Sequence, residues 1–78
     1  MLTQFETAKA VLSHVQAMDG DTLLDTYAVL KAHPQAISHR FFSQAVYWLV
    51  ALNLIHKTEL DWLDITEVGR QVLKAWDS

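Results

Sequence analysis

The chain has no cysteine, a single proline and two glycines among 78 residues, and each shortage excludes something. Without thiols there is no disulfide framework and no thiolate metal site, so stability must come from apolar packing, and a reducing, cytoplasmic setting is the expectation. With so little proline and glycine there is no flexible linker and no low-complexity tail. No internal repeat is present either, so residues 1–78 are expected to form one domain. Positive charge is scarce as well: six Lys+Arg stand against nine Asp+Glu, a formal charge of -3. The general basic excess that supplies non-specific affinity for nucleic acid is therefore missing, although a local basic face is not excluded. Long apolar runs are also absent. No stretch approaches the roughly 20 residues that span a bilayer, and the opening MLTQFETAKAVLSHV is interrupted by Glu6 and Lys9, unlike a signal peptide. No membrane association is expected.

What the chain does have is apolar patterning, with 51% hydrophobic residues. That suffices for one core in a domain near the lower size limit for a stable monomer, so self-association would be unsurprising. Thr3 and Glu6 match a capping box at the start of a first helix. Phe5, Ala8, Leu12 and Val15 follow as its core stripe, which ends near Met18 at the turn Asp19-Gly20-Asp21. Asp21 or Thr22 can cap a short second helix carrying Leu23, Leu24, Tyr27, Ala28, Leu30 and Lys31. It ends at His33, which precedes Pro34 and is pushed out of helical geometry. After a Pro34-Gln35 turn, Ser38 caps a third helix reaching about Leu52. At steps of about 100°, Phe42, Ala45, Val46, Leu49 and Leu52 share one face, Phe41 and Trp48 widen it, and a narrow strip of Arg40, Ser43, Gln44, Tyr47 and Ala51 is left outward.

Asn53 can close that helix in left-handed geometry. Leu54 to Thr58 then reads as a strand, Glu59-Leu60-Asp61 as a turn, and Trp62 to Ile65 as a second strand with Leu63 and Ile65 on one face and Trp62 and Asp64 on the other. Thr66 caps a last helix whose buried stripe is Val68, Val72, Leu73 and Trp76, with Gly69 placed for a close approach by a neighbouring element. The expected fold is mostly α with a small β-hairpin, in the order helix, helix, helix, hairpin, helix, the last helix packing back on the first.

That order, and two local stretches, resemble the winged helix-turn-helix of bacterial MarR- and PadR-type regulators. FFSQAVYWLVALNLI is similar to their recognition helix and its step onto the wing, at Leu49, Leu52, Asn53, Leu54 and Ile55. LDITEVGRQVLKAW resembles their passage from wing to closing helix, at Ile65, Thr66, Gly69, Arg70 and Leu73. The likeness runs from about Thr22 to Trp76 and is one of superfamily. It implies a DNA-binding transcriptional regulator with the third helix in the major groove of double-stranded DNA. Arg40, Ser43, Gln44 and Tyr47 would then read bases or phosphate, with Lys57 in the wing and Lys31 at the end of the second helix on phosphate.

The charge of the wing points elsewhere. Glu59, Asp61 and Asp64 occupy the hairpin, opposed only by Lys57, where a phosphate backbone would repel them. Such acids either guard a hairpin edge from aggregation or face a protein partner with a basic surface. Together with the aromatics Tyr47, Trp48 and Trp62 they outline a protein-interaction surface. Two functions therefore stay open: a small DNA-binding regulator, and an acidic winged-helix interaction module or phage-type inhibitor that does not bind DNA; a homodimer with Trp48 in its seam is compatible with both. His14, His33, His39 and His56 show no metal-like spacing, and no nucleophile set, phosphate loop or cofactor motif is recognisable. No catalysis, metal or cofactor is expected.

Overall fold

A computed structural model describes residues 2–32 and 37–77. His33 and the Pro34-Gln35 turn lie outside the described residues. The elements are α1 (Gln4–Met18), β1 (Asp21–Thr22), α2 (Leu23–Lys31), α3 (His39–Ala51), β2 (Ile55–Lys57), β3 (Trp62–Ile65) and α4 (Glu67–Trp76). The domain is mostly helical with a small three-stranded antiparallel sheet in the order β1-β3-β2.

Local chemistry sets where each helix starts. The Thr3 hydroxyl accepts from the Glu6 amide at 3.1 Å while the Glu6 carboxylate accepts from the Thr3 amide at 3.0 Å, the expected reciprocal box. Thr22, Ser38 and Thr66 cap α2, α3 and α4 through the amides of Asp25, Phe41 and Gly69. Each such cap is worth about 1 kcal/mol. Asn53 ends α3 in left-handed geometry at φ 61°, and Asp19 ends α1 at φ 54°.

The core lies where α1 crosses α3 and the sheet closes one end. Val11, Leu12 and Val15 from α1 meet Phe42, Ala45, Val46 and Leu49 from α3, with Leu54, Ile55, Leu63 and Leu73 completing the cluster. Thr7 and Thr26 are fully buried, and their hydroxyls donate to the carbonyls of Thr3 and Thr22 at 2.8 and 2.7 Å. Their burial therefore leaves no unmet polar group.

The sheet has a strand that periodicity does not reveal. Asp21 and Thr22 pair with Leu63 and Trp62, while Ile55, His56 and Lys57 pair with Ile65, Asp64 and Leu63. Two residues are too few for an alternation signal, so the hairpin expected from the sequence is in fact the larger part of a three-stranded sheet. Asp21 is also a tether, since its Oδ2 lies 2.7 Å from His14 Nε2 and its Oδ1 accepts from the Thr22 amide.

Several expected core residues face water. Phe5 is 54% exposed and stacks against Trp76 with ring centroids 4.9 Å apart; it covers the α1–α4 seam from outside. Val68 is exposed because α4 is drawn in at Gly69, where an added Cβ would lie 2.0 Å from the Leu54 carbonyl oxygen, and a residue one step of about 100° away turns outward. Leu52, expected on the core face of α3, is exposed where the chain leaves the helix, and Leu24 and Ala28 point away from the face on which α2 buries Thr26 and Leu30.

Two outcomes follow. Gly69→Ala should cost about 3 kcal/mol or more in thermal or urea unfolding, because backbone rather than a pliable side chain blocks the new methyl. The Thr3 backbone and hydroxyl hydrogen bonds hold the Glu6 carboxyl below its ordinary value, so its contribution is complete above the unfolded carboxylate pKa and is lost as pH falls through the lowered folded one. Glu6→Gln should accordingly lower stability in the neutral region and leave the acid end, where Glu6 is protonated, little changed, so that the two stability-against-pH profiles converge on acidification.

Candidate functional site

With Phe42, Ala45, Val46 and Leu49 buried, α3 turns its opposite side to solvent, and Arg40, Ser43, Gln44, Tyr47 and Ala51 are all exposed there. The strip expected from the sequence therefore exists as one helix face. Trp48 is 43% exposed on its flank. Lys31 is exposed in the last turn of α2, as expected.

Lys57 is not available in the same way. Its Nζ lies 2.9 Å from Asp61 Oδ1, so the hairpin's cation is neutralised by the hairpin's own acid. Asp61 in turn has a backbone reason to be small and polar: it sits at φ 59°, in the left-handed region that Asp and Asn tolerate better than most residues. Its amide donates to the Thr58 carbonyl at 3.0 Å, and Thr58 also accepts from the Trp62 amide through its hydroxyl at 3.2 Å. The turn belongs to the hairpin class that ends on a left-handed residue. Asp64 is engaged too, accepting from the Trp62 indole N–H at 3.0 Å. The Trp62 ring packs over Gly20, where a Cβ would come within 2.8 Å of Cζ2. Trp62 and two of the three hairpin acids thus hold the sheet and its turns together; of those three acids only Glu59 has no partner among the described residues.

The hairpin tip does not project freely. The Leu23 amide, first in α2, donates to the Asp61 carbonyl at 2.7 Å, which docks the turn on the N-terminus of α2. Leu60, at the middle of that turn, is left 90% exposed, and Leu24 on the neighbouring helix is 76% exposed. Both line a groove of about 560 Å³ between α2 and α3, with Tyr27, His39, Phe42, Ser43 and Val46. Its floor is aromatic: Tyr27 and Phe42 lie 4.9 Å apart by centroid, and His39 meets the Tyr27 ring edge-on at 5.3 Å. A larger depression of about 770 Å³ runs between α1 and α4 past Gln16, Glu67, Arg70 and Asp77. Its lining mixes charges of both signs, with Leu73 its one apolar residue, whereas the smaller α2–α3 groove is lined mainly by apolar and aromatic side chains and is the better candidate recognition site.

Sequence reasoning placed Leu24 on the second helix without choosing its face and Leu60 in a turn, and singled out neither as an exposed apolar side chain. One signal for Leu60 was present: the centre of a tight turn is served by polar residues, and a leucine there has no folding role.

No protein-family model, curated protein or solved structure matches the chain. Among the described residues no helix is long and apolar enough to cross a membrane.

If Asp61 is placed for its backbone, Asp61→Asn should shift unfolding free energy by less than about 0.5 kcal/mol despite loss of the exposed ion pair. Asp61→Val should cost about 1–2 kcal/mol, because a β-branched residue is strained in left-handed geometry. Urea unfolding of both variants separates the two contributions.

Proposed function

We propose that this chain is a winged-helix domain that acts as a protein-docking module through the α2–α3 groove and the hairpin tip. The order helix, strand, two helices, hairpin, with the first short strand added to the hairpin's second strand, supports the winged-helix reading. The observation that carries the function is the hairpin itself. Its tip is held on α2 by the Leu23–Asp61 bond, its lysine is paired with Asp61, and its outermost side chain is the exposed Leu60. Such a tip has little reach and no unpaired cation for phosphate, and it presents a leucine beside an aromatic-floored groove. Apolar side chains of that kind, at the edge of a concave surface, are where binding energy concentrates in protein interfaces. The acidic excess of the chain and the exposed Glu59 suit a partner with a basic surface.

A second reading has its own observation. The co-exposed Arg40, Ser43, Gln44 and Tyr47 on α3 form a chemically sufficient set for the major groove, with Arg40 on guanine and Gln44 on adenine. Its weakness is electrostatic: with Lys57 paired, Lys31 and Arg40 are the cations left to it, so the phosphate contribution would be small.

The two readings separate in one set of variants. Leu24→Ser with Leu60→Ser should lower affinity for a protein captured from extract by at least about tenfold, as expected for anchor residues, while Arg40→Ala with Gln44→Ala should leave it unchanged. Fluorescence anisotropy with duplex DNA at low salt should show no sequence-dependent binding. Specific duplex binding that Arg40→Ala and Gln44→Ala abolish would instead establish the DNA reading.

A further inference from the structure

We infer that the occupant of the α2–α3 groove is an amphipathic helix of a partner protein, seated by its apolar stripe and carrying Lys or Arg where it meets the hairpin tip. The inference rests on the docking reading above and specifies its partner.

Backbone chemistry selects a helix. The groove is walled by the faces of two helices, whose amides and carbonyls are largely spent within those helices, and the Leu23 amide is already committed to the Asp61 carbonyl. An extended peptide lying there would bury its own N–H and C=O groups with little to pair them, at a cost of about 1–3 kcal/mol each. Addition of a strand to the sheet is poorly supported, since its outer strands β1 and β2 are two and three residues long. A helix satisfies its backbone internally and offers apolar side chains at i, i+3, i+4 and i+7, the pattern of helix-in-groove recognition. Leu24 and Leu60, both largely exposed, would pack against that stripe from the groove's rim while Tyr27 and Phe42 form the floor.

Charge gives the partner its polarity. Asp25 follows Leu24 on α2 and Glu59 precedes Leu60 on the hairpin, both exposed, so each of the two segments joined by the Leu23–Asp61 bond carries an acid. The nearby cation, Lys57, is consumed by one oxygen of Asp61. The opposite end of α2 carries Lys31. A helix with basic residues toward the hairpin is therefore complementary, and one with acidic residues there is repelled. A second copy of this chain fits poorly as the occupant. Its most amphipathic helix, α4, already uses its apolar face internally, with Leu73 buried at 2% exposure and Gly69 pressed on the Leu54 carbonyl.

The test is a titration of the full ¹⁵N-labelled chain with three synthetic peptides: a side-chain-stapled helix with leucines at i, i+3, i+4 and i+7 and lysines at one end, the same peptide with glutamates for lysines, and a proline-interrupted, unstapled version. The lysine helix is expected to shift the amides of Leu24, Tyr27, Ser43 and Leu60 and to bind at least tenfold more tightly than either alternative. Leu24→Ser with Leu60→Ser should weaken it at least tenfold without disturbing the rest of the spectrum, because both positions lie at the surface. Equal binding of the proline-interrupted peptide overturns the helix while leaving the docking reading intact, and equal binding of the glutamate helix overturns the charge polarity. Groove shifts that appear on raising protein concentration alone identify a second copy and overturn the inference. Absence of groove shifts with every peptide overturns it too, and if duplex DNA then shifts Arg40 and Gln44, the docking reading falls with it.

Discussion

The carbonyl of Leu54 is the point from which the rest of the arrangement follows. It accepts from the Thr66 amide at 3.1 Å and from the Thr66 hydroxyl at 3.0 Å, and the backbone of Gly69 approaches so closely that a methyl there would lie 2.0 Å from its oxygen. The exit of α3, the base of the hairpin and the first turn of α4 are thereby joined in one place. A peptide carbonyl has two lone pairs, and both are used here. With the base fixed, Ile55 and Leu63 are carried into the core, and the pairing of β3 with β1 brings the far end of the hairpin to the start of α2. The Leu23–Asp61 bond closes that end. The hairpin is thus held at both ends and forms part of the body of the domain.

This restraint changes what the hairpin acids mean. Considered as charges, Glu59, Asp61 and Asp64 suggest an electrostatic surface. Considered with their partners, Asp61 serves a left-handed turn and an ion pair, and Asp64 orients the indole that covers Gly20. Local backbone and side-chain demands account for two of the three. At the centre of its turn the hairpin presents, beside Glu59, a leucine that is 90% exposed. An apolar side chain at a turn centre contributes nothing to the core and adds to the risk of aggregation, so a binding role is its most economical physical explanation.

Much of the local structure was legible in the residues. Thr3 with Glu6, Ser38, Thr66 and Asn53 each act through a short-range interaction in which the side chain meets backbone three residues away or less, or sets one φ angle. Such features survive in any tertiary context. The strip of Arg40, Ser43, Gln44 and Tyr47 was also legible, since helical periodicity alone orients it once the apolar face is known. Phe5, Leu52 and Val68 were misassigned for a common reason. In a small domain the packed surface is narrow, and an apolar residue at the margin of the stripe can fall on either side of it.

By itself, the sequence determined the helix limits, the hairpin and its turn, and the outward face of α3, because capping, periodicity and left-handed tolerance are properties of residues and their near neighbours. Tertiary structure alone decided that Asp21 and Thr22 make a third strand, that His14 is spent on Asp21, that Lys57 is spent on Asp61, and that Leu24 and Leu60 line one groove. Those pairings join residues distant in the chain or fix one rotamer among several, and their free energy exists only when folding brings the partners together. The candidate function depends on the second set, since a groove is a relation between elements and no single element contains it.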